Sequence, residues 1–282
     1  MITVNTLSGG KTSSYIASNY ESNYDVFSLV RTEDVKSKFP DKKLRQEVED
    51  RIQAPFIATA EDDMIIYTML DLEQYIGRRI TWVTGKTFDD VIENEGRCLP
   101  DPLRRYCTTE MKMKPIFEWW RKTINVPCEF RLGFRANEQR RAKRTNEKVN
   151  ENGFLEMKAI VGKRGTRNRW GVIEWQKPVY PLIEDNIYKD TIEEYWKDKP
   201  VRFAWMNNCV GCFHKTPLLI RKMYDRHPEK IEWFASKERI KHEKDVWYKE
   251  KNLSFSEIIK WNQQIELFDD DFNECDSGYC GM

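Results

Sequence analysis

The first half of the chain alternates short apolar runs with amphipathic ones. ITVNTL (2–7), YDVFSLVRT (24–32), PFIATA (55–60), RRITWVTG (78–85) and CEFRLGFRA (128–136) have the apolar runs and alternation of buried strands. Between them, TSSYIASNY (12–20), PDKKLRQEVEDRI (40–52), DMIIYTMLDLEQYIG (63–77) and KPIFEWWRKT (114–123) read as helices. In the second of these Leu44, Val48 and Ile52 recur every fourth position, and the third stops at Gly77, a residue suited to the left-handed turn after a helix. Strands alternating with helices predict βαβ units and a parallel sheet.

Beyond residue 137 the rhythm changes. The span 137–170 has little periodicity and several glycines, which predicts a long loop or excursion, and KPVYPLIE (177–184) is punctuated by proline. DTIEEYWKD, PLLIRKMYDR, PEKIEWFASKERIK and SFSEIIKWNQQIEL then read as helices. The expected organisation is an α/β core over 1–136, a basic excursion over 137–180, and a helical C-terminal region over 181–282. There are no internal repeats.

A chain of 282 residues can bury a full core without disulfides. It is 40% hydrophobic and 33% charged, which argues against disorder, and no apolar run approaches the ~18 residues of a membrane span. MITVNTLSGG lacks the basic and apolar regions of a signal peptide. A cytoplasmic protein without a membrane partner is expected. The net charge of +1 hides two imbalances. Phe134 to Arg169 holds eleven Lys/Arg against four Glu, and Glu266 to Asp276 holds six acids and no base. With Trp170 and Trp175 beside it, the basic span suits a polyanion or a solvated lobe. The other helical tryptophans read as core or interface.

The first candidate for chemistry is Leu7-Ser8-Gly9-Gly10-Lys11-Thr12-Ser13-Ser14, between the first strand and helix. Two glycines permit a sharp turn and close backbone approach, and the helix N-terminus behind them favours an anion. The spacing is neither GxxxxGK[ST] nor GxGxxG. The plain alternative is a strand–turn–helix corner capped by Thr12 or Ser13. Lys112, Arg135, Arg140 and Arg141 are further anion candidates.

Seven cysteines without an export signal read as thiols, metal ligands or catalytic groups. Cys209-x2-Cys212 is a half-site for Zn or Fe–S, Cys275-x4-Cys280 forms a second pair, and Cys107 lies in the core segment. Cys98 and Cys128 read as plain buried residues. Three histidines, His214, His227 and His242, are too few for a His-rich zinc hydrolase. Structural, loop and exposed helical roles are expected for them respectively.

Five segments occur in an order that resembles one family. Ser8 to Ser14 is similar to an SGGxDS pyrophosphate loop, with Thr12 in the place of Asp. Val30-Arg31-Thr32-Glu33 resembles the nucleotide-side turn after the second strand. Arg105-Tyr106-Cys107-Thr108 with Lys112 and Pro115, Gly133-Phe134-Arg135-Ala136-Asn137-Glu138, and Asn208-Cys209-Val210-Gly211-Cys212-Phe213-His214-Lys215 complete the set. Together they resemble the phosphoadenosine phosphosulfate (PAPS) reductase-like family of the ATP pyrophosphatase, or PP-loop, superfamily, over residues 3 to about 240.

The resemblance implies an adenine nucleotide α-hydrolase-like fold. Ser8, Gly9, Gly10, Lys11, Thr12, Ser13, Arg31, Thr32, Arg135 and Glu138 would bind ATP or adenylyl-sulfate, with Mg2+ if ATP is the substrate. Lys11, Arg135 and Cys107 would serve the chemistry. By analogy with thiolation enzymes, Cys107, Cys209, Cys212 and Cys280 would hold a [4Fe–4S] cluster, with Cys275 as rival fourth ligand. Structural Zn on Cys209, Cys212, Cys275 and Cys280 is the competing arrangement. The implied function is ATP-dependent activation with sulfur transfer. Thiol-dependent reduction of an adenylyl-sulfate is the alternative, although the tail Glu274-Cys275 shares only two residues with the reductase terminus. A nucleotide-binding module without catalysis is the third reading. Expected partners are an adenine nucleotide and a sulfur donor or thiol reductant protein, with a nucleic acid and a second copy of the chain as candidates.

Overall fold

A computed structural model describes residues 1–95, 98–238 and 253–261. Cys275, Cys280, His242 and Trp247 lie outside the described residues. The chain opens with β1 (Thr3–Leu7), α1 (Lys11–Asn19), β2 (Tyr24–Leu29) and β3 (Arg31–Thr32). α2 (Lys42–Ile52), β4 (Ala58–Thr59), α3 (Met64–Ile76), β5 (Ile80–Thr84) and α4 (Phe88–Asn94) follow. α5 (Tyr106–Thr108) runs through a π-helical turn at Thr109–Met113 into α6 (Lys114–Thr123) and then β6 (Cys128–Arg131). After a 3-10 turn come α7 (Gln139–Asn146), β7 (Leu155–Arg164), β8 (Arg167–Val179) and α8 (Pro181–Glu184). The described chain ends with α9 (Lys189–Trp196), α10 (Pro217–Arg226), α11 (Pro228–Lys237) and α12 (Phe255–Ile258).

The architecture is α/β. Its central sheet has six strands in the order β5-β2-β1-β6-β8-β7, parallel except for the antiparallel edge pair β7–β8. β2 is buried on both faces over five of its six residues, as a central parallel strand must be when helices cover both sides. One face packs Leu7, Phe27 and Leu29 against Ile65, Ile66 and Met69 of α3 and Ile192 and Trp196 of α9. The other packs Val4, Val26 and Phe130 against Ile116, Phe117 and Trp120 of α6. α10, α11 and α12 form a further cluster with Val30, Ala60 and Met111, so the C-terminal helices close over the chain that leaves β2 and β4.

The span 137–180 departs from the loop expected of it. It holds α7 and a long hairpin, and β8 joins the main sheet by pairing Gln176 to Val179 with β6. The reason is physical: residues 163–170 of the hairpin are exposed on both faces, so no apolar alternation marks them as strand. Their register is set by backbone pairing and by the two-residue turn at Gly165–Thr166, with Gly165 at φ +62°. The proline-punctuated KPVYPLIE splits, with Lys177 to Val179 ending β8 and Pro181 starting α8. β6 is shorter than CEFRLGFRA suggested, because Phe134 N–H donates to the Leu132 carbonyl at 2.8 Å and turns the chain out of the sheet.

The hairpin tip contributes little to the core. Removing the facing pairs Lys163–Asn168 and Arg164–Arg167, while keeping Gly165–Thr166, is expected to change unfolding free energy by no more than about 0.5 kcal/mol in a denaturant titration. A loss above about 2 kcal/mol would place the tip in the cooperative core.

Candidate functional site

The chain runs from β1 to β2 and β5 on one side of the sheet, and through β6 and β8 on the other. The carboxyl ends of β1 and β6 therefore form the switch point at which open α/β sheets take ligands. A cleft opens there between the Ser8–Ser13 loop, the end of β6 and the π-helical turn, and its inner end reaches Trp175 and Gln176. Its cavity volume is about 100 Å3.

Close backbone approach builds the loop. Gly9 sits at φ +80°, and a Cβ there would lie 2.5 Å from Ile65 Cγ2. A Cβ on Gly10 would lie 2.7 Å from Asn207 Nδ2, so Asn207 is laid directly over the loop. α1 starts at Lys11 without a side-chain cap or an acid in its first turn, leaving the positive end of the helix directed at the loop. Ser13 is a brace: its Oγ accepts from Ser8 N–H at 3.2 Å and donates to the Gly10 carbonyl at 3.1 Å. The Ser8 hydroxyl lies 3.2 Å from it. Thr12 is different. Its side chain lines the cleft at 3% exposure, and its buried Oγ1 has no hydrogen-bond partner.

The expected binding residues divide. Ser8, Gly10, Thr12 and Ser13 line the cleft, joined by Lys112, whose ammonium reaches Glu61 Oε1 at 2.9 Å. Lys11 turns away and pairs with Glu193 of α9, while Trp196 Nε1 donates to the Lys11 carbonyl at 2.9 Å. Arg31 lies outside the lining and uses its guanidinium as a clip, donating to Thr84 Oγ1 at 2.9 Å and to the Pro55 and Gly85 carbonyls at 2.6 Å each. Burial presses its pKa below the usual guanidinium value, against the pull of Asp90 and Glu33. Thr32 is buried beside it. Arg135 and Glu138 also lie outside the lining. Glu138 Oε2 accepts from Arg135 N–H at 2.9 Å and from its Nε at 3.2 Å, and Arg141 binds the same carboxylate. Arg141 stands 4.4 Å over the ring of Phe134, which does line the cleft. This group shapes the wall and does not itself face the opening.

Three of the four expected cluster ligands share one hydrophobic cluster without converging on a point. Cys209 and Cys212 belong to the C-terminal hydrophobic cluster, and Cys107 packs against it. The CxxC turn is closed by Cys212 N–H donating to the Cys209 carbonyl at 3.0 Å, with Asn208 at φ +67°. Lys215, 2% exposed, donates to the Asn207 and Cys209 carbonyls at 3.0 and 2.7 Å. Gly211 is required by contact, since a Cβ there would lie 2.4 Å from the Phe234 ring. Arg105 Nη2 lies 3.1 Å from His214 Nε2, joining the Cys107 and CxxC segments. Arginine can only donate, so the imidazole nitrogen accepts. Among the described residues, no three His, Cys, Asp or Glu side chains converge as a metal site.

Cys128 is buried as expected, and desolvation pushes its thiol up to about 11, which keeps it protonated near neutrality. Cys98 is only half-buried, and Arg104 Nη1 lies 3.0 Å from its sulfur. His227 joins α10 to α11 and lies 3.1 Å from Asp62. Trp175 does not stand with Trp170 on a basic surface: it is 2% exposed and lines the cleft, whereas Trp170 is 57% exposed. A second cleft shares Met113 and Trp175 with the first and is edged by Arg105, Thr108, Thr109 and Lys148. Sequence reasoning missed Gln176 and Glu61, and took Asn207 only as part of the knuckle around the CxxC. Gln176, between Trp175 and Lys177, gave no signal in a segment read as a loop.

Three outcomes separate these roles. Thr12→Val is expected to weaken pyrophosphate binding about tenfold, roughly the 1.4 kcal/mol of one lost hydrogen bond. Lys11→Met, which breaks a half-exposed ion pair, should change it less than about threefold by titration calorimetry. Arg31→Met is expected to cost about 3 kcal/mol in chemical unfolding, by stranding buried acceptors, and to leave pyrophosphate affinity of the folded protein unchanged. Compared with protein-family models, with curated proteins and with solved structures, the chain matches none.

Proposed function

We propose that the chain is a PP-loop enzyme of the PAPS reductase-like kind, which activates an acceptor with ATP and exchanges the activated oxygen for sulfur. The observation that carries this reading is the uncapped N-terminus of α1 behind a two-glycine turn at the sheet's switch point, with Thr12 lining the cleft and its buried hydroxyl without a partner. Such a cradle suits the phosphates of a nucleotide. In the first step an acceptor oxygen attacks the α-phosphorus and pyrophosphate leaves, held by the loop N–H groups, Ser8 and Thr12. Lys112, partly neutralised by Glu61, offsets the charge on the leaving group. In the second step a sulfur nucleophile from a donor protein attacks the activated acceptor carbon, and AMP leaves with the former acceptor oxygen.

Glu and Asp are absent from the cleft lining, and Thr12 stands where the resembled loop has Asp. The donor set does not fit a Mg2+ ion held by protein carboxylates, so Mg2+ is proposed to enter on the nucleotide phosphates. The thiols of Cys107, Cys209 and Cys212 are of the type that ligates an Fe–S centre and belong to or pack against one hydrophobic cluster, and they are proposed to hold such a centre with a fourth group, although they do not converge as they stand. When bound, that centre supplies a soft site for sulfur. The second cleft, beyond Trp175, is proposed to take the acceptor.

The basic arm favours a nucleic acid as that acceptor. Lys158, Lys163, Arg164, Arg167 and Arg169 occur without an acid between residues 157 and 173, and Trp170 stands exposed among them. Charge of this kind neutralises backbone phosphate, and an exposed indole can stack on a base.

Protein purified without oxygen is expected to contain iron and sulfide, and Cys209→Ser to lose most of both. With ATP and nucleic acid it is expected to release pyrophosphate and AMP in equal amounts once a sulfur donor is present. Release of sulfite from an adenylyl-sulfate and a thiol reductant, with no ATP consumed, would replace this reading with the reductase. Nucleotide binding without turnover in either assay would leave only a binding module.

A further inference from the structure

We propose that Gln176, set on a bulge in β8 beside Trp175, reads the base edge of the nucleotide and makes the cleft selective for a 6-aminopurine. This inference rests on the nucleotide reading above and assigns the end of the cleft opposite the phosphate loop.

The bulge is visible in the register. Leu155 pairs with Gln176 and Glu156 with Glu174, so Trp175 is left without a partner across β7. A bulge of this kind re-aims side chains that plain alternation would send to opposite faces. Here Trp175 and Gln176, adjacent in sequence, both line the cleft. On its other side the Gln176 position pairs with Cys128 of β6, so the strand is fixed within the sheet.

The side chains end in unmet polar atoms. Gln176 is 1% exposed and Trp175 2% exposed, and Gln176 Oε1, Gln176 Nε2 and Trp175 Nε1 are all buried without hydrogen-bond partners. A buried donor or acceptor left unmet loses its hydration with nothing returned, so three on two adjacent residues call for a ligand. Ile116, Phe130 and Leu132 supply apolar walls around them.

The chemistry of that ligand follows from the atoms. An anion accepts hydrogen bonds and has none to give, so a phosphate or sulfate cannot satisfy Gln176 Oε1. A planar carboxamide offering one donor beside one acceptor matches a ring edge with an acceptor nitrogen next to an amino group, as adenine presents at N6 and N7. The apolar walls suit the ring faces. Phosphates at the Thr12 end and the base at the Gln176 end give the nucleotide one direction in the cleft.

The test uses the full-length protein and three probes in calorimetry: ATP, purine riboside triphosphate, which lacks the 6-amino group, and pyrophosphate, which lacks the base. Wild type is expected to bind ATP at least tenfold more tightly than purine riboside triphosphate. Gln176→Leu should erase that preference, leave pyrophosphate affinity within twofold, and raise the melting temperature of the ligand-free protein by removing two buried unmet atoms. An unchanged preference in Gln176→Leu overturns the proposal and shows that water satisfies the amide. Equal affinity of wild type for the two nucleotides also overturns it, and needs no variant to fold. If wild type binds neither ATP nor pyrophosphate, the nucleotide reading falls and this inference with it. Pyrophosphate binding with no discrimination between the nucleotides removes only the base site.

Discussion

At the end of β1 separate parts of the chain approach one another more closely than side chains would allow. Gly9 lets Ile65 of α3 press against the turn, and Gly10 lets Asn207 lie over it. The remainder of the site depends on this contact. It fixes the start of α1, which aims the helix N-terminus, and it ties the segment carrying Cys209 and Cys212 to the same point as the cleft. A methyl group at Gly9 would press on Ile65 in a left-handed backbone, and one at Gly10 would displace the Asn207 amide from the loop.

Buried lysines reinforce that arrangement. Lys215 donates to the carbonyls of Asn207 and Cys209, and Lys230, 5% exposed, donates to those of Thr59 and Glu61 and to Asp63. The two turns they cap are joined by the Val210 N–H to the Ala60 carbonyl at 2.8 Å and by a bridge between Glu61 and Cys209. Each ammonium thus satisfies irregular backbone that no helix or sheet could serve, which is how polar turns survive inside a hydrophobic cluster. Glu61 carries this framework to the cleft, because its side chain holds Lys112.

The fold of the first half was legible because its strands and helices are buried in a regular way. Leu44, Val48 and Ile52, or Val4 and Val26, show in the sequence the face they turn to a core. The hairpin was not legible, since a ribbon wet on both faces has no reason to alternate. At the site, the loop glycines and the cysteine turn could be read from local spacing. The orientation of Lys11 could not, because its partner Glu193 lies 182 positions away. Arg31 invited a ligand role by its place after β2, yet its donors are consumed by three neighbours that only the folded chain brings to it. Gln176 needed both the strand and its bulge before its position meant anything.

β8 runs from the exposed turn at Gly165–Thr166 to the sheet interior without interruption. Arg121 of α6 holds the arm midway, by a hydrogen bond to the Ile160 carbonyl at 2.6 Å. The inner end of the arm, at Trp175, is part of the wall that the two clefts share. The ladder from the tip is broken twice, first by the extra residue Val161 in β7 and then by the bulge at Trp175 in β8. A register irregularity is where a ladder yields most easily, so a load on the tip is taken up first at Val161, next to the Arg121 anchor. The partition between the two clefts is thereby shielded from strain applied outside the globule.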